Sequence, residues 1–318
     1  MKINARSEED LATGYLAGPG QRGRDQVLEG LGQAHGHHGE LLQGVFEQGA
    51  RLHRGLVTLP CPMFATRVRV DLTSREPELS VQPSWKTKAL KAARVTLREC
   101  GAPLLGGRVT LESNVEVGRG FGSSTTDVTA TIRAVLDALE REMSSERVAR
   151  IAVEAEVAAD PLMFDRMILF AHREGAVLED FQARMCPVRV LGVSLGDGAV
   201  DTLELSPARY DPREIESFRL LRGTLRRAVL TGDLRAIGRV ATASAKLNQR
   251  FLATPGFAAL LSAASGSQAV GVQVAHSGTI AGLLFDPAER EVETRLGEAE
   301  RHLLDHGFQE FWRYDFGR

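Results

Sequence analysis

The segment 117–127 reads Val117-Gly118-Arg119-Gly120-Phe121-Gly122-Ser123-Ser124-Thr125-Thr126-Asp127, with three glycines and then four consecutive hydroxyl residues. Apolar residues alternate before this segment, as in a half-buried strand, and recur at helical spacing after it. They are Val109, Leu111, Val115 and Val117 on the strand side, and Val128, Ile132, Val135 and Leu139 on the helix side. The glycines therefore lie at a strand-to-helix junction, where unpaired N–H groups and the helix dipole favour a bound anion.

Phosphate is the anion that such a junction suits best. Glycine allows the backbone to approach a phosphate closely, and a Ser or Thr hydroxyl can ligate a cation bound to that phosphate. No Gly-Lys-Ser/Thr follows the glycines, so the segment is not a Walker loop, and the hydroxyl run does not match a dinucleotide fingerprint. Considered alone, such a segment is equally typical of a simple turn.

The composition is that of a soluble globular protein, and 318 residues suit two modest domains or one large one. A formal net charge of -2 argues against a nucleic-acid partner or an anionic membrane surface. No apolar stretch approaches the ~20 residues of a membrane span, and the N-terminus lacks a signal-peptide pattern. Three scattered cysteines, Cys61, Cys100 and Cys186, are typical of a reduced, cytoplasmic protein. A homodimer is compatible with this sequence.

The segment 33–44 is polar and glycine-rich: Gln33-Ala34-His35-Gly36-His37-His38-Gly39-Glu40-Leu41-Leu42-Gln43-Gly44. Its three histidines invite a metal site, but no second ligand cluster stands at a recognisable spacing, so zinc is disfavoured. Glu40 and Gln43 lie between glycines, and we expect them on a tight loop that faces a small ligand. The alternative is that Glu40 only caps a helix or a turn.

Short strands and amphipathic helices follow one another along the rest of the chain, after a non-periodic stretch, 1–30, that we expect to be a mobile extension. Strands are predicted at Leu56–Leu59, Phe64–Leu72, Val188–Leu195, Val200–Leu205, Val270–Ala275 and Leu283–Phe285, the third and fourth as a hairpin. Helices are predicted after a cap at Ser84, with Lys86, Lys88 and Lys91 in solvent, then over 145–157, 215–229, 234–247 and from Asp286 to about Gly307. This order predicts an α+β fold with helices on one face of an antiparallel sheet.

Acidic residues follow the predicted phosphate segment. The helix over 145–157 brings Glu154 and Glu156 close to Asp160. Mg²⁺ takes oxygen ligands and an acceptor hydroxyl must lose a proton, so carboxylates beside a phosphate site suit phosphoryl transfer. Acidic residues at a helix end are also common on protein surfaces.

Three small-residue segments in this order resemble the three motifs of the GHMP kinase superfamily. Gly120-Phe121-Gly122-Ser123-Ser124 is similar to its Gly-Leu-Gly-Ser-Ser phosphate loop, and Ser277-Gly278-Thr279-Ile280-Ala281-Gly282 to its C-terminal glycine motif. Within the superfamily the sequence most resembles the L-threonine kinases of cobalamin biosynthesis and their actinobacterial relatives. The residues that carry this likeness are 39–44, 123–127, Ala171-His172-Arg173-Glu174-Gly175, Val200-Asp201-Thr202-Leu203 and 274–279.

The resemblance implies a two-domain fold that binds ATP, Mg²⁺ and a small-molecule alcohol between its domains. An S5-like N-terminal domain would occupy 31–184 and a ferredoxin-like C-terminal domain 185–318, after a flexible extension over 1–30. ATP would contact Gly118, Gly120, Phe121, Gly122, Ser123, Ser124 and Thr125. The acceptor would contact His38, Glu40, Gln43, Ser277, Gly278 and Thr279. Ser124 and Glu156 would hold Mg²⁺, and Asp160 would take or orient the proton of the acceptor hydroxyl.

The sequence departs from the family pattern at three places. Glu116 replaces a proline that usually precedes the phosphate loop. Val157-Ala158-Ala159-Asp160 stands where the threonine kinases carry Glu-Pro-Thr-Asp, so Glu156 must act from one residue away, which is a rotation of about 100° on a helix. His37-His38 stands where small or cysteine-type residues are expected.

The sequence predicts an ATP-dependent kinase for the hydroxyl of a small amino acid, with threonine as the nearest example. One alternative is a kinase of the same superfamily for a sugar or another secondary-metabolite alcohol. A second is a nucleotide-binding sensor that has lost turnover, which the displaced glutamate would favour. Asp160 and the serine pair favour catalysis.

Overall fold

The structure is a computed structural model that describes residues 27–196, 208–276 and 279–317. Within these ranges the chain forms ten strands and seven helices. The strands are β1 (Leu28–Gln48), β2 (Arg51–Thr73), β3 (Leu79–Gln82), β4 (Gly106–Ser113), β5 (Ile168–Ala171), β6 (Ala176–Asp180), β7 (Val188–Ser194), β8 (Gly271–Val274), β9 (Ile280–Phe285) and β10 (Phe311–Phe316). The helices are α1 (Thr87–Glu99), α2 (Ser123–Ala138), α3 (Ser145–Glu156), α4 (Pro212–Thr231), α5 (Leu234–Asn248), α6 (Phe257–Gly266) and α7 (Val292–Asp305). The α+β prediction is confirmed.

One sheet contains all of these strands. Its main path runs β10-β7-β9-β8-β1-β2-β4-β3, and β5 pairs with both β2 and β6. Among the described residues only β3 and β4 pair in parallel. The strands of the N-terminal half meet those of the C-terminal half between β1 and β8, at the pair Glu40 and Val274. The middle of the sheet is therefore where the two halves of the chain join.

Helix α2 packs directly on the backbone of β1. A Cβ atom at Gly32 would lie 2.1 Å from the carbonyl oxygen of Ala130, and one at Gly30 would lie 2.2 Å from that of Ala134. Any side chain at these glycines would push the helix away. The glycines near the start of the described chain are therefore required for helix–strand packing.

The first two strands correct the prediction for this part of the chain. Residues 28–30 belong to β1 rather than to a mobile extension, and Glu40 and Gln43 lie within β1 rather than on a tight loop; residues 1–26 lie outside the described chain. Because the middle of β1 is buried on both faces, the polar and apolar alternation of a half-buried strand is absent there. Strand β2 is continuous where two strands were predicted, with Pro60 inside it next to bulged pairing.

Other boundaries also differ from the prediction. Helix α1 has Lys86 rather than Ser84 at its N-cap, and Lys86 is buried instead of solvated. Strand β4 ends at Ser113, so Val117 is not a strand residue and is 63% exposed. Helix α7 begins at Val292 because Asp286 makes a local turn, in which its carboxylate accepts the N–H of Ala288.

Helices α2, α3, α4 and α5 and strands β7, β8 and β9 match their predictions within a few residues. Helix α6 and the β5–β6 hairpin were not predicted. The predicted strand Val200–Leu205 lies outside the described residues. None of the described helices has both the length and the apolar character needed to cross a membrane.

Candidate active site

A cavity of about 740 Å³ opens where the two halves of the chain meet. This volume is within the ~300–1,000 Å³ that is usual for small-molecule sites. Strand β1, the glycine segment before α2 and the end of α3 line it from one side, and α5 and the residues after β8 line it from the other. Sequence segments more than 200 residues apart therefore face one space.

The start of α2 is open to this cavity. Gly122 occupies the N-cap position with φ 73°, a left-handed conformation that favours glycine, and no side chain caps the helix. The first backbone bond within the helix runs from the N–H of Thr126 to the carbonyl oxygen of Gly122. The N–H groups before Thr126 are thus available to an anion, as the sequence predicts for a phosphate site.

Phe121 anchors the glycine segment in the protein interior. Its side chain is 2% exposed and packs on Phe64 and Trp312, with ring centroids 4.2 and 5.4 Å apart. Its carbonyl oxygen accepts the N–H of His37 at 3.1 Å. The side chain of Phe121 does not line the cavity. The nucleotide contact predicted at this position would therefore involve the backbone of Phe121.

Glu156 reaches Ser124 despite its displaced position in the sequence. The Ser124 hydroxyl donates to Oε2 of Glu156, and Oε1 is buried without a partner. Burial raises the pKa of Glu156 to about 7, and the hydrogen bond from Ser124 opposes this rise. A buried carboxylate oxygen without a partner, next to a hydroxyl, is an arrangement that a cation with oxygen ligands would satisfy.

Asp160 also lies next to the start of α2. Its Oδ2 lies 3.1 Å from Nε2 of His37, and its N–H donates to the Thr125 hydroxyl at 3.2 Å. A Cβ atom at Gly122 would lie 3.2 Å from Oδ2 of Asp160, so the glycine brings the carboxylate close to the loop. Burial alone would raise the pKa of Asp160, but His37 and, to a smaller extent, His276 hold it well below its usual range.

Bulges in β1 bring His37, Glu40 and Gln43 to the cavity together. Residues three apart on a regular strand point to opposite faces. The pairing of β1 with β2 shifts between His35 and Gly36, between His37 and Glu40, and between Glu40 and Leu42. These shifts reset the alternation, and all three side chains line the same cavity.

Glu40 connects β1 to the residues after β8. Its carboxylate accepts the N–H of His276 at 2.6 Å and the His276 Nδ1–H at 2.8 Å. Burial lowers the pKa of His276, but Glu40 outweighs burial and raises it to about 9. Glu40 thus stabilises a cationic imidazole beside Asp160, in addition to lining the predicted acceptor site.

His37, Glu40 and Asp160 offer ligand atoms within 4.8 Å of one another, a cluster that the sequence spacing did not reveal. Both ring nitrogens of His37 already have partners, Gly39 and Asp160, and both oxygens of Glu40 bind His276. This geometry favours a hydrogen-bonded network over a metal centre.

His38 does not fit its predicted contact with the acceptor. It is fully buried behind the cavity, between Trp312 and Tyr314, and its Nδ1 lies 2.9 Å from Nε2 of Gln273. Burial lowers its pKa to about 3. Thr279 is also buried, with its carbonyl oxygen bound to the N–H of Leu195, whereas Ser277 and Gly278 lie outside the described residues.

The sequence also resembles known proteins, and the matches agree on one family. The model for the GHMP kinases N terminal domain matches residues 87–164. The L-threonine kinase of Salmonella typhimurium is 30% identical over 206 residues, which cover 63% of this chain and 67% of that protein. The chain belongs to the GHMP kinase superfamily. This GHMP kinase is also 26% identical to the L-threonine kinase of Citrobacter freundii over 259 residues, or 80% and 86% of the two chains.

Solved structures confirm the GHMP kinase fold. A homoserine kinase from Cytophaga hutchinsonii superimposes with a TM-score of 0.67 at 16% identity, over 99% of this chain and 96% of that one. The L. major mevalonate kinase in complex with R-mevalonate superimposes with a TM-score of 0.62 at 16% identity, over 91% of this chain and 95% of that one. Membership makes this GHMP kinase an ATP-dependent phosphotransferase that acts on a hydroxyl group.

Several residues that line the cavity were not predicted as site residues. They are His37, Arg54, Lys88, His172, Arg173, Tyr210, Ser244, Asn248 and His276. Asn248 and Ser244 of α5 hold the backbone of Gln43, through its carbonyl oxygen and its N–H respectively. His172, Arg173 and His276 belong to stretches that resemble the family, and His37 stands at a departure from its pattern, but none of the four was assigned a role.

Proposed function

We propose that this GHMP kinase transfers the γ-phosphoryl group of ATP to the hydroxyl of L-threonine or a similarly small amino-acid alcohol. The observation that carries the proposal is the placement of Asp160 and the Ser124–Glu156 pair around one uncapped helix start. The L-threonine kinases of Salmonella typhimurium and Citrobacter freundii support the choice of acceptor.

The nucleotide end of the site lies at the start of α2. The backbone N–H groups of 120–124 bind the phosphates of ATP, with the helix dipole favouring their negative charge. Ser124 and Glu156 hold Mg²⁺, whose charge offsets the charge that develops on the phosphate oxygens. The partnerless oxygen of Glu156 supports this role.

The acceptor end lies between Asp160 and the C-terminal half. Asp160 orients the acceptor hydroxyl and receives its proton, because positioning and charge dominate phosphoryl transfer. Arg54, Arg173 and the cationic His276 line this part of the cavity and favour an acceptor that carries a carboxylate. Gln43, held by α5, supplies a neutral polar contact.

We propose that the chain has an S5-like N-terminal domain and a ferredoxin-like C-terminal domain, with the boundary between them near residue 185. The N-terminal domain includes β1 from Leu28, so a boundary at residue 31 would lie inside this strand.

The sensor alternative depended on the displaced glutamate. The contact between Ser124 and Glu156 favours a working enzyme instead.

The test is to incubate the purified protein with Mg-ATP and either threonine, serine, homoserine or a set of sugars. We expect threonine or a close analogue to gain the mass of one phosphoryl group, as measured by mass spectrometry. Phosphorylation of sugars alone would contradict the proposed acceptor. Clear ATP binding without any phosphorylated product would contradict the proposed activity.

A further inference from the structure

Three hydrogen-bond contacts hold His37 in place. Its backbone N–H donates to the carbonyl oxygen of Phe121, its Nδ1 lies 3.1 Å from the N of Gly39, and its Nε2 lies 3.1 Å from Oδ2 of Asp160. The residue is fully buried. The imidazole therefore has one orientation relative to both the glycine segment and Asp160.

The contact with Gly39 determines which ring nitrogen carries the proton. A backbone N–H can only donate, so Nδ1 must accept, and the single proton of the neutral imidazole is on Nε2. Gly39 has φ 69°, and a Cβ there would lie 2.7 Å from Oε1 of Gln273 and 2.8 Å from Cα of Ala275. The donor is thus fixed by a backbone that has no room to shift, and the Nε2–H points at Asp160.

We propose that His37 is a positioning residue that acts through Asp160. Its Nε2–H binds Oδ2, keeps the carboxylate ionised, and leaves Oδ1 to meet the acceptor hydroxyl. Gly122 allows this contact, because a Cβ atom there would lie 2.7 Å from Nε2 of His37. This inference rests on the proposed function.

The acceptor oxygen forms a bond to the γ-phosphorus, the bond from that phosphorus to the bridging oxygen breaks, and ADP leaves with the electron pair. The hydroxyl proton moves to Oδ1 of Asp160 and afterwards to solvent. His37 keeps its Nε2 proton throughout.

Three further titratable groups, Glu40, His276 and His172, surround the His37–Asp160 pair. Asp160 and Glu40 face His37, with Oε1 of Glu40 3.8 Å from Nδ1, His276 stacks on its ring at 6.4 Å, and His172 faces Asp160. Burial lowers the pKa of His37, but the two carboxylates raise it overall. Protonation at Nδ1 removes the acceptor of the Gly39 N–H and places a positive charge 3.8 Å from Oε1 of Glu40. The resulting imidazolium makes Asp160 a weaker base, so kcat falls as the pH falls through this pKa.

The kinetic test compares His37→Gln, Asp160→Asn and the double variant with the wild type. We expect His37→Gln to lower kcat by about 10–100-fold, with KM for Mg-ATP within about twofold, and to remove the acid limb of the kcat profile. The double variant should be no slower than Asp160→Asn alone, since His37 acts through that carboxylate. His35→Gln is the control, because His35 lies on the same strand but is exposed and outside the cavity.

A wild-type pH profile retained by His37→Gln would overturn the inference, as would additive losses in the double variant. A second measurement does not depend on turnover or on the stability of a variant. Long-range ¹H–¹⁵N spectra of the wild-type protein should show His37 as the Nε2–H tautomer, and Asp160→Asn should lower the His37 pKa. An Nδ1–H tautomer would reject the pairing. A wild type that phosphorylates nothing would instead reject the proposed function, and the spectra would still decide the pairing.

Discussion

Glu156 is the last residue of α3, and its carboxylate accepts a hydrogen bond from the Ser124 hydroxyl. Val157 follows with φ 74° and is 60% exposed, so the backbone changes direction there. The sequence predicts a helix through Val157, and helical geometry then places Glu156 about 100° from the expected register. The predicted helix end is one residue late, because neither glycine nor proline stands at position 157. The contact with Ser124 depends on how α3 packs against α2, which the register of the sequence alone does not reveal.

Replacing Glu156 tests the proposed Mg²⁺ site. Glu156→Gln keeps the size of the side chain but removes its charge, and we expect kcat/KM for Mg-ATP to fall by about 100-fold. Glu154→Gln is the matched control, since Glu154 lies on the same helix, pairs with Arg98 at the surface and should change activity less than twofold. Equal losses in the two variants would argue against a metal ligand at Glu156. Steady-state kinetics over a range of Mg²⁺ concentrations provide the measurement.

The contact between His37 and Asp160 had no sequence signal. The two residues are 123 positions apart, and only the fold brings them together. Asp160 itself was predicted as a site residue, because a family motif places an aspartate there. Local patterns and motifs thus identified one partner of the pair, whereas the other required the bulges of β1.

Helix α1 is tied to α2 by a buried ion pair. Lys86, at the N-cap of α1, donates to Asp127 in the first turns of α2, and Thr66 of β2 donates to the same carboxylate at 2.8 Å. The sequence predicts a solvated row of lysines, because Lys86 shares its spacing and charge with its neighbours. Its burial depends on α2 packing against α1, which residue spacing within α1 does not reveal.

Lys86→Met should therefore destabilise the protein. The substitution leaves Asp127 as a buried carboxylate without its cation, and removal of one partner of such a pair costs about 3–5 kcal/mol. Lys91→Met is the control, because Lys91 is exposed on the same helix and should change the free energy of unfolding by less than about 0.5 kcal/mol. Urea unfolding followed by circular dichroism gives both values. Similar free energies for the two variants would show that the pair does not stabilise α2.

The glycine-rich strand β1 shows why some elements were predicted wrongly. The start of β1 reads as irregular because its glycines make room for α2, and the middle of β1 lacks alternation because both faces are buried. Helices α3, α4 and α5, with regular apolar spacing, were predicted within a few residues. Sequence patterns predict well which residues face solvent, but they predict close contacts between elements poorly.

At the scale of the whole molecule, the contact between Glu40 and His276 joins the two halves of the chain. It lies next to the pair of Glu40 and Val274, through which β1 and β8 meet among the described strands. The pKa of His276 is about 9 in the folded protein and about 6.5 when unfolded. A raised pKa stabilises the fold fully below about pH 6.5, and this contribution is lost as the pH rises through about 9. The loss should be about 2 kcal/mol, after allowance for the 23% of the side chain that water reaches.

The free energy of unfolding at pH 6 and at pH 10 tests this prediction. The difference between the wild type and His276→Asn should shrink by about 2 kcal/mol from the lower to the higher pH. The difference between the wild type and His35→Gln should stay constant, because His35 is exposed and remote from Glu40. A pH-independent difference for His276→Asn would show that folding does not raise the pKa of His276.

The bulged pairing of β1 makes the number of residues between Gly36 and Gln43 as important as their identity. His37, Glu40 and Gln43 share a cavity because two shifts in pairing, between His37 and Glu40 and between Glu40 and Leu42, offset the two odd spacings. One added or deleted residue in this interval would send part of the set into the packed interior. Variant libraries directed at new acceptors should therefore exchange side chains in this segment and keep its length fixed.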